Sequence, residues 1–102
     1  MSTFKLEIRV KEVKGHCPVY DEGDFFLIEE GYKLILSSNR PICMHSLASI
    51  MPYYVALSRG VSPRSLGLGD EEKAYVQCLD PHDYTGGGTV TFEIRISKNK
   101  LA

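Results

Sequence analysis

The chain has 102 residues, of which 43% are hydrophobic and 25% are charged, and its formal net charge is −1. This size predicts one domain, residues 1–102, with a single core and no separate cofactor and substrate domains. The balanced charge argues against nucleic acid as the main partner, because phosphate-binding proteins usually carry a basic excess. No apolar run approaches the ~18–20 residues of a membrane-spanning helix, so no membrane partner is expected.

The first third of the chain predicts three strands. Apolar Phe4, Leu6, Ile8 and Val10 alternate with charged residues, as in a strand with one buried face. Further on, an apolar run at residues 25–28 and an alternating run at residues 32–36 flank a tight connection, which predicts a hairpin.

The middle of the chain changes to a helical period. Apolar residues recur at spacings of three and four, at Leu47, Ile50, Met51, Tyr54 and Leu57. Asn39 and Pro41 suit the start of such a helix, and Gly60 suits its end. Pro52 interrupts it, because an interior proline removes a backbone hydrogen bond. We therefore expect a kink near residues 50–51, or two short helices with Pro52 opening the second.

The last third returns to strand alternation. Residues 73–78 place Ala74, Val76 and Cys78 on one face, and residues 90–96 alternate as regularly as the first strand. Between them, residues 80–88 predict a long turn that ends in three glycines. The predicted fold is α+β, with a mainly antiparallel, curled sheet of about five strands packed on one kinked helix.

The sequence contains no motif of an established catalytic or nucleotide-binding site. It lacks a Walker loop, a dinucleotide-binding glycine fingerprint, a zinc-protease motif and a nucleophile elbow. The glycine run at residues 86–88 precedes a strand, so it lacks the helix N-terminus that binds phosphate, and we interpret it as a flexible hairpin turn.

Three cysteines lie near histidines at predicted ends of strands or helices. The neighbours are His16 and Cys17, Cys43 and His45, and Cys78 and His82. Thiolates and imidazoles together suit zinc, copper(I) or an iron–sulfur centre. The candidate metal ligands are therefore the three cysteines, with His16, His45 and His82 as weaker candidates. The alternative is that the cysteines pack as small hydrophobic residues, Cys78 above all, and that the histidines are ordinary turn residues.

Cys43 has a separate argument as a reactive thiol. In the predicted first turn of the helix, the positive end of the helix dipole favours the thiolate. Cys43 is therefore the candidate catalytic thiol. A catalytic cysteine also needs a base, for which the sequence offers His16 or His82 without placing either.

The N-terminal residues predict the compartment. Residues 1–7 alternate and carry charge, so we expect no secretory signal. The expected location is the cytoplasm, where thiols stay free.

Several sequence runs together resemble a family of small uncharacterised archaeal and bacterial proteins with three cysteines and no assigned activity. The runs are Gly15-His16-Cys17-Pro18, Gly23-Asp24-Phe25, Ile42-Cys43-Met44, Met51-Pro52-Tyr53 and Cys78-Leu79-Asp80-Pro81, followed by a final Val-x-Phe-x-Ile strand. The resemblance spans nearly the whole chain and implies a short single domain with a shared site at Cys17, Cys43 and Cys78. One departure is Leu79, where the family has proline directly after the third cysteine, and this difference affects the turn that aims the Cys78 thiol.

The leading functional hypothesis is a protein that binds a soft metal or an iron–sulfur centre, or carries a redox-active thiol site, through Cys17, Cys43 and Cys78. One alternative is a structural or protein-interaction module without catalytic chemistry, whose open sheet edges pair with a second copy. A second alternative is a thiol enzyme that uses Cys43, and the sequence does not decide whether the chain is an enzyme. The metal-site hypotheses require that the three thiols converge in the folded chain.

Overall fold

The structure is a computed structural model that describes residues 3–36 and 41–97. It has five strands, β1 (Leu6–Lys14), β2 (Phe25–Glu29), β3 (Lys33–Leu36), β4 (Lys73–Gln77) and β5 (Thr89–Ile96). It also has three helices, α1 (Met44–Ile50), α2 (Tyr54–Ser58) and α3 (His82–Thr85).

The five strands form one open antiparallel sheet. Their order across the sheet is β3-β2-β1-β5-β4, so the strands nearest the two ends of the chain lie side by side at its centre. One irregularity interrupts the β1–β5 pairing, where the register shifts between Val10 and Glu12. The predicted α+β class and the mainly antiparallel sheet are confirmed.

The core lies on one face of this sheet, beneath α1 and α2. Because side chains alternate along a strand, Leu6, Ile8 and Val10 all point to this face and are 2% exposed or less. Phe92 on β5 is fully buried among them, and Ile50 and Leu57 close the core from the helices. Cys78 continues the buried face of Ala74 and Val76, as the alternation predicts.

The predicted kinked helix is two short helices. α1 ends at Ile50, and a turn that includes Pro52 leads to Tyr53, which caps α2. α2 ends at Ser58 with Arg59 as its C-cap, and the predicted stop Gly60 follows directly, with a φ of 91° that is readily accessible only to glycine. There the backbone N–H groups of Gly60 and Val61 donate to the carbonyls of Leu57 and Ala56. The predicted cap Asn39 lies outside the described residues.

The connection between β4 and β5 differs from the long flexible turn expected for it. Residues 82–85 form the one-turn helix α3, which ends at Gly86 in the left-handed conformation. Gly88 is buried rather than solvent-exposed. Gly88 therefore serves close packing, which the composition of the glycine run alone does not distinguish from flexibility.

No helix within residues 3–36 and 41–97 is both long enough and apolar enough to cross a membrane.

Candidate functional site

Cys17 lies in the connection that follows β1. Its thiol is partly exposed, and its sulfur accepts a hydrogen bond from the backbone N–H of Tyr20 at 3.4 Å. The ring of Tyr20 enters the core, where it meets Phe92 edge-on with the ring centroids 5.6 Å apart. The Cys17 sulfur is thus held by the backbone of a residue whose ring is buried in the core.

Cys43 precedes α1 as its N-cap residue. The expectation that Cys43 lies in the first helical turn is wrong, because its backbone is extended, with φ −77° and ψ 129°. Its carbonyl accepts the N–H groups of Ser46 and Leu47, and its side chain makes no capping hydrogen bond. Because α1 has only seven residues and its N-cap thiol does not contact the free amides, the dipole argument for a reactive Cys43 loses its structural basis.

A closed ring of hydrogen bonds joins Cys43 to Tyr20 and Ser46. The backbone N–H of Cys43 donates to Tyr20 Oη at 2.9 Å, and Ser46 Oγ donates to the Cys43 carbonyl at 2.7 Å. Since the Ser46 proton is committed to that carbonyl, the Tyr20 hydroxyl donates to Ser46 Oγ across the remaining 2.7 Å. Burial raises the pKa of the Tyr20 hydroxyl, so it keeps the proton that this bond requires.

Cys78 follows β4 and is buried, with 7% of its surface exposed. Its sulfur accepts the backbone N–H of Val90 at 3.3 Å and donates to the carbonyl of Gly88 at 3.5 Å. Both bonds hold the thiol against the start of β5.

Gly88 brings the Cys17 segment next to the Cys78 segment. A Cβ atom at position 88 would lie 2.6 Å from the carbonyl carbon and oxygen of His16 and 2.7 Å from the nitrogen of Cys17. Contacts this short exclude any side chain, so only glycine lets the two backbones approach. Gly87 is similarly close to the carboxylate of Asp80.

The three cysteines line one cavity of about 380 Å³. Tyr20, Ser46, His45 and Asp80 also line it, and the remaining wall includes Pro18, Val19, Gly88 and Val90. The sequence predicts the three cysteines as one site, and the structure places them around one space. Sequence reasoning missed Tyr20 and Ser46, because neither stands in a recognisable motif. The glycine run is visible in the sequence, but its composition predicts only a turn.

The three candidate histidines lie at different places on the protein. His45 lines the cavity from α1, but His16 is exposed and is not part of the lining. His82 lies in a second groove, with Glu12 and Lys14, and its Nδ1 is 2.5 Å from the carbonyl oxygen of Gly87. Of the three candidate histidines, only His45 is therefore placed to join the cysteines.

The cavity does not hold a preformed metal site. Among the described residues, no group of three Cys, His, Asp or Glu side chains is arranged to hold a metal ion. Ligation by the three thiols therefore requires their side chains to rotate toward one point. Cys17 and Cys43 have the freer side chains for this, since Cys78 is buried and bonded to the backbone at two atoms.

Comparison of the chain with models of protein families, with curated proteins and with solved structures found no match. The resemblance drawn from the cysteine-containing runs therefore stays a prediction.

Proposed function

We propose that this protein binds a thiophilic metal ion or metal–sulfur centre through Cys17, Cys43 and Cys78. The observation that carries the proposal is that three cysteines from three distant parts of the chain line one cavity. Burial of cysteine as a small hydrophobic residue explains one cysteine in a core, but it gives no reason for three cysteines to line the same cavity.

The chemistry of the lining suits a soft ion. Thiolate ligands select copper(I), zinc and iron–sulfur centres over hard cations, which prefer oxygen. His45 adds an imidazole nitrogen at the same cavity. Because the bound ligands are thiolates, uptake of the ion releases protons from the cysteines, and affinity rises with pH.

The free thiols fit a reducing compartment. All three cysteines are unpaired, and the cytoplasm keeps thiols in this form. We therefore place the protein in the cytoplasm. A redox-active thiol site would use the same residues, and a thiol enzyme on Cys43 would have His45 as the histidine of its cavity.

The test is metal binding by the reduced protein. Protein purified without oxygen is analysed for bound metal and then titrated separately with copper(I) and zinc(II) against a competing chelator. We expect one ion per chain. Replacement of any one cysteine by serine should weaken binding at least about tenfold, since loss of a ligand costs no less than loss of a residue that orients a ligand.

Two histidine variants give the matched control. His45→Ala removes the cavity imidazole and weakens binding, whereas His16→Ala removes an exposed imidazole outside the cavity and leaves affinity unchanged. Failure of the wild-type protein to bind either ion, or equal binding by a triple Cys→Ser variant, contradicts the proposal.

A second candidate function is association with another copy through β3. Within residues 3–36 and 41–97 no strand pairs with the outer edge of β3. All four of its residues are exposed, among them Leu34, Ile35 and Leu36. An apolar edge of this kind is a template for further strand pairing. Solution mass tests it: the wild-type chain should form dimers that Ile35→Lys disrupts, and a wild-type monomer at high concentration contradicts it.

A further inference from the structure

Tyr20 contacts both of the partly exposed cysteines. Its backbone N–H donates to the sulfur of Cys17, and its hydroxyl accepts the N–H of Cys43. The two cysteines are otherwise supplied by separate connections, one after β1 and one before α1. Through these two hydrogen bonds, Tyr20 links the wall of the cavity that carries Cys17 to the wall that carries Cys43.

This link is rigid. The side chain of Tyr20 is 5% exposed, and its ring packs edge-on against the fully buried Phe92. The Tyr20 hydroxyl donates to Ser46 Oγ, and Ser46 Oγ in turn donates to the carbonyl of Cys43. The peptide groups on both sides of Cys43 are thus fixed relative to Tyr20.

The hydroxyl does not serve as a ligand itself. It accepts the Cys43 N–H and donates its proton to Ser46. A neutral phenol engaged in two hydrogen bonds offers a poor ligand to a soft ion, which prefers sulfur. Its effect on the cavity must therefore pass through Cys43.

We propose that Tyr20 is a positioning residue that, together with Ser46, fixes the backbone of Cys43, and so the point from which its thiol rotates, relative to Cys17 for binding of a soft metal ion. The inference rests on the proposed metal-binding function. It assigns Tyr20 and Ser46 the role that outer hydrogen-bonding partners have in metal sites, where they orient the ligands.

The test compares hydroxyl deletions in the full chain, with copper(I) as the probe. Tyr20→Phe keeps the ring on Phe92 and the N–H to Cys17 but removes the hydroxyl, and we expect the dissociation constant to rise about 10- to 100-fold. Ser46→Ala, which leaves Tyr20 in place, should shift it in the same direction. Tyr75→Phe is the matched control, because it removes a hydroxyl bonded to Glu93 outside the cavity, and it should leave affinity unchanged.

The same substitution made in a Cys43→Ser chain distinguishes positioning of the Cys43 thiol from general destabilisation of the protein. In a Cys43→Ser chain, which retains two thiols, Tyr20→Phe should cause no further loss of copper(I) affinity, because the thiol that Tyr20 positions has been removed. An equal loss in both backgrounds, or no loss in the wild-type background, overturns the positioning role while the metal site stands. If the wild-type chain binds no copper(I), the proposed function and this inference both fail. If Tyr20→Phe does not fold, the same comparison is made with Ser46→Ala.

Discussion

The sulfur of Cys78 lies 3.3 Å from the backbone nitrogen of Val90, so the most buried of the three cysteines is hydrogen-bonded to the second residue of β5. Cys17 and Cys43, by contrast, are partly exposed at the same cavity. The site therefore has two accessible thiols and one that is part of the core.

This difference predicts the order in which the thiols react. Because buried structural cysteines are inert, alkylation of Cys78 in the native protein should be at least about tenfold slower than that of Cys17 or Cys43. Timed iodoacetamide labelling followed by peptide mass spectrometry measures the three rates. In denaturant the three rates should become similar, and equally fast native labelling of Cys78 and Cys17 would argue against the described burial.

The close approach of backbones at Gly88 leaves no room for a side chain. Gly88→Ala places a Cβ against the backbone of His16 and Cys17, and overpacking of this kind costs about 1–3 kcal/mol of unfolding free energy or more. Denaturant titration measures the loss, and copper(I) affinity should fall with it, because the walls of the cavity separate.

Gly86→Ala is the control for Gly88→Ala. Gly86 has a positive φ of 75°, and no atom of residues 3–36 or 41–97 lies within 4 Å of a Cβ built there, so only the conformational cost of about 1–2 kcal/mol remains. Copper(I) affinity should be unchanged in that variant. If Gly88→Ala affects stability and binding no more than Gly86→Ala does, the packing role of Gly88 is wrong.

Much of the fold follows from the sequence because its strands are half-buried. Strict alternation in β1 and β5 fixes which residues face the core, and it also places Cys78 beside Ala74 and Val76. Pro52 and Gly60 mark helix boundaries through local backbone chemistry. α3 was not predicted, because four residues are too few for helical periodicity to show.

The candidate site follows from the sequence only in part. The cysteine positions are visible, but their meeting depends on the packing of Gly88 against Cys17 and on the Tyr20 hydroxyl reaching Cys43. Both are contacts between distant segments, which spacing along the chain does not encode. The N-cap position of Cys43 depends in the same way on where α1 begins, and helix boundaries are the least reliable part of a sequence prediction.

Phe92 connects stability to the site. It is fully buried, and it carries the edge-on contact with Tyr20. Phe92→Ala should lower the unfolding free energy by about 3–5 kcal/mol, the usual cost of a large core cavity. Phe25→Ala, on the partly exposed opposite face, should cost much less. Calorimetry or denaturant titration checks both, and similar losses for the two variants would contradict the assigned core.

Glu93 is a charged residue that is only 3% exposed, on the face of the sheet opposite the core. Arg95 Nε donates to its carboxylate at 2.7 Å, and Lys11 Nζ lies 3.4 Å away. The hydrogen bond from Arg95 is the main cause that lowers the pKa of Glu93 below its usual 4.5.

A lowered pKa in the folded state fixes the sign of the pH dependence. The stabilisation by Glu93 is complete above the pKa of the unfolded chain and is lost as the pH falls through the lower pKa of the folded chain. Glu93→Gln should therefore cost about 1 kcal/mol near neutral pH, and its unfolding free energy should fall less steeply between about pH 5 and pH 3 than that of the wild type.

Glu71→Gln is the matched control for Glu93→Gln. Its carboxylate bonds Arg64 Nε at 2.6 Å, a geometry close to that of Glu93 and Arg95, but both side chains are about two-thirds exposed. Solvent screening makes such a pair worth little, so the unfolding free energy should change by less than about 0.5 kcal/mol. Denaturant titrations at several pH values measure both variants. If the unfolding free energy of Glu93→Gln changes with pH in parallel with that of the wild type, the burial of Glu93 does not strengthen its ion pair with Arg95.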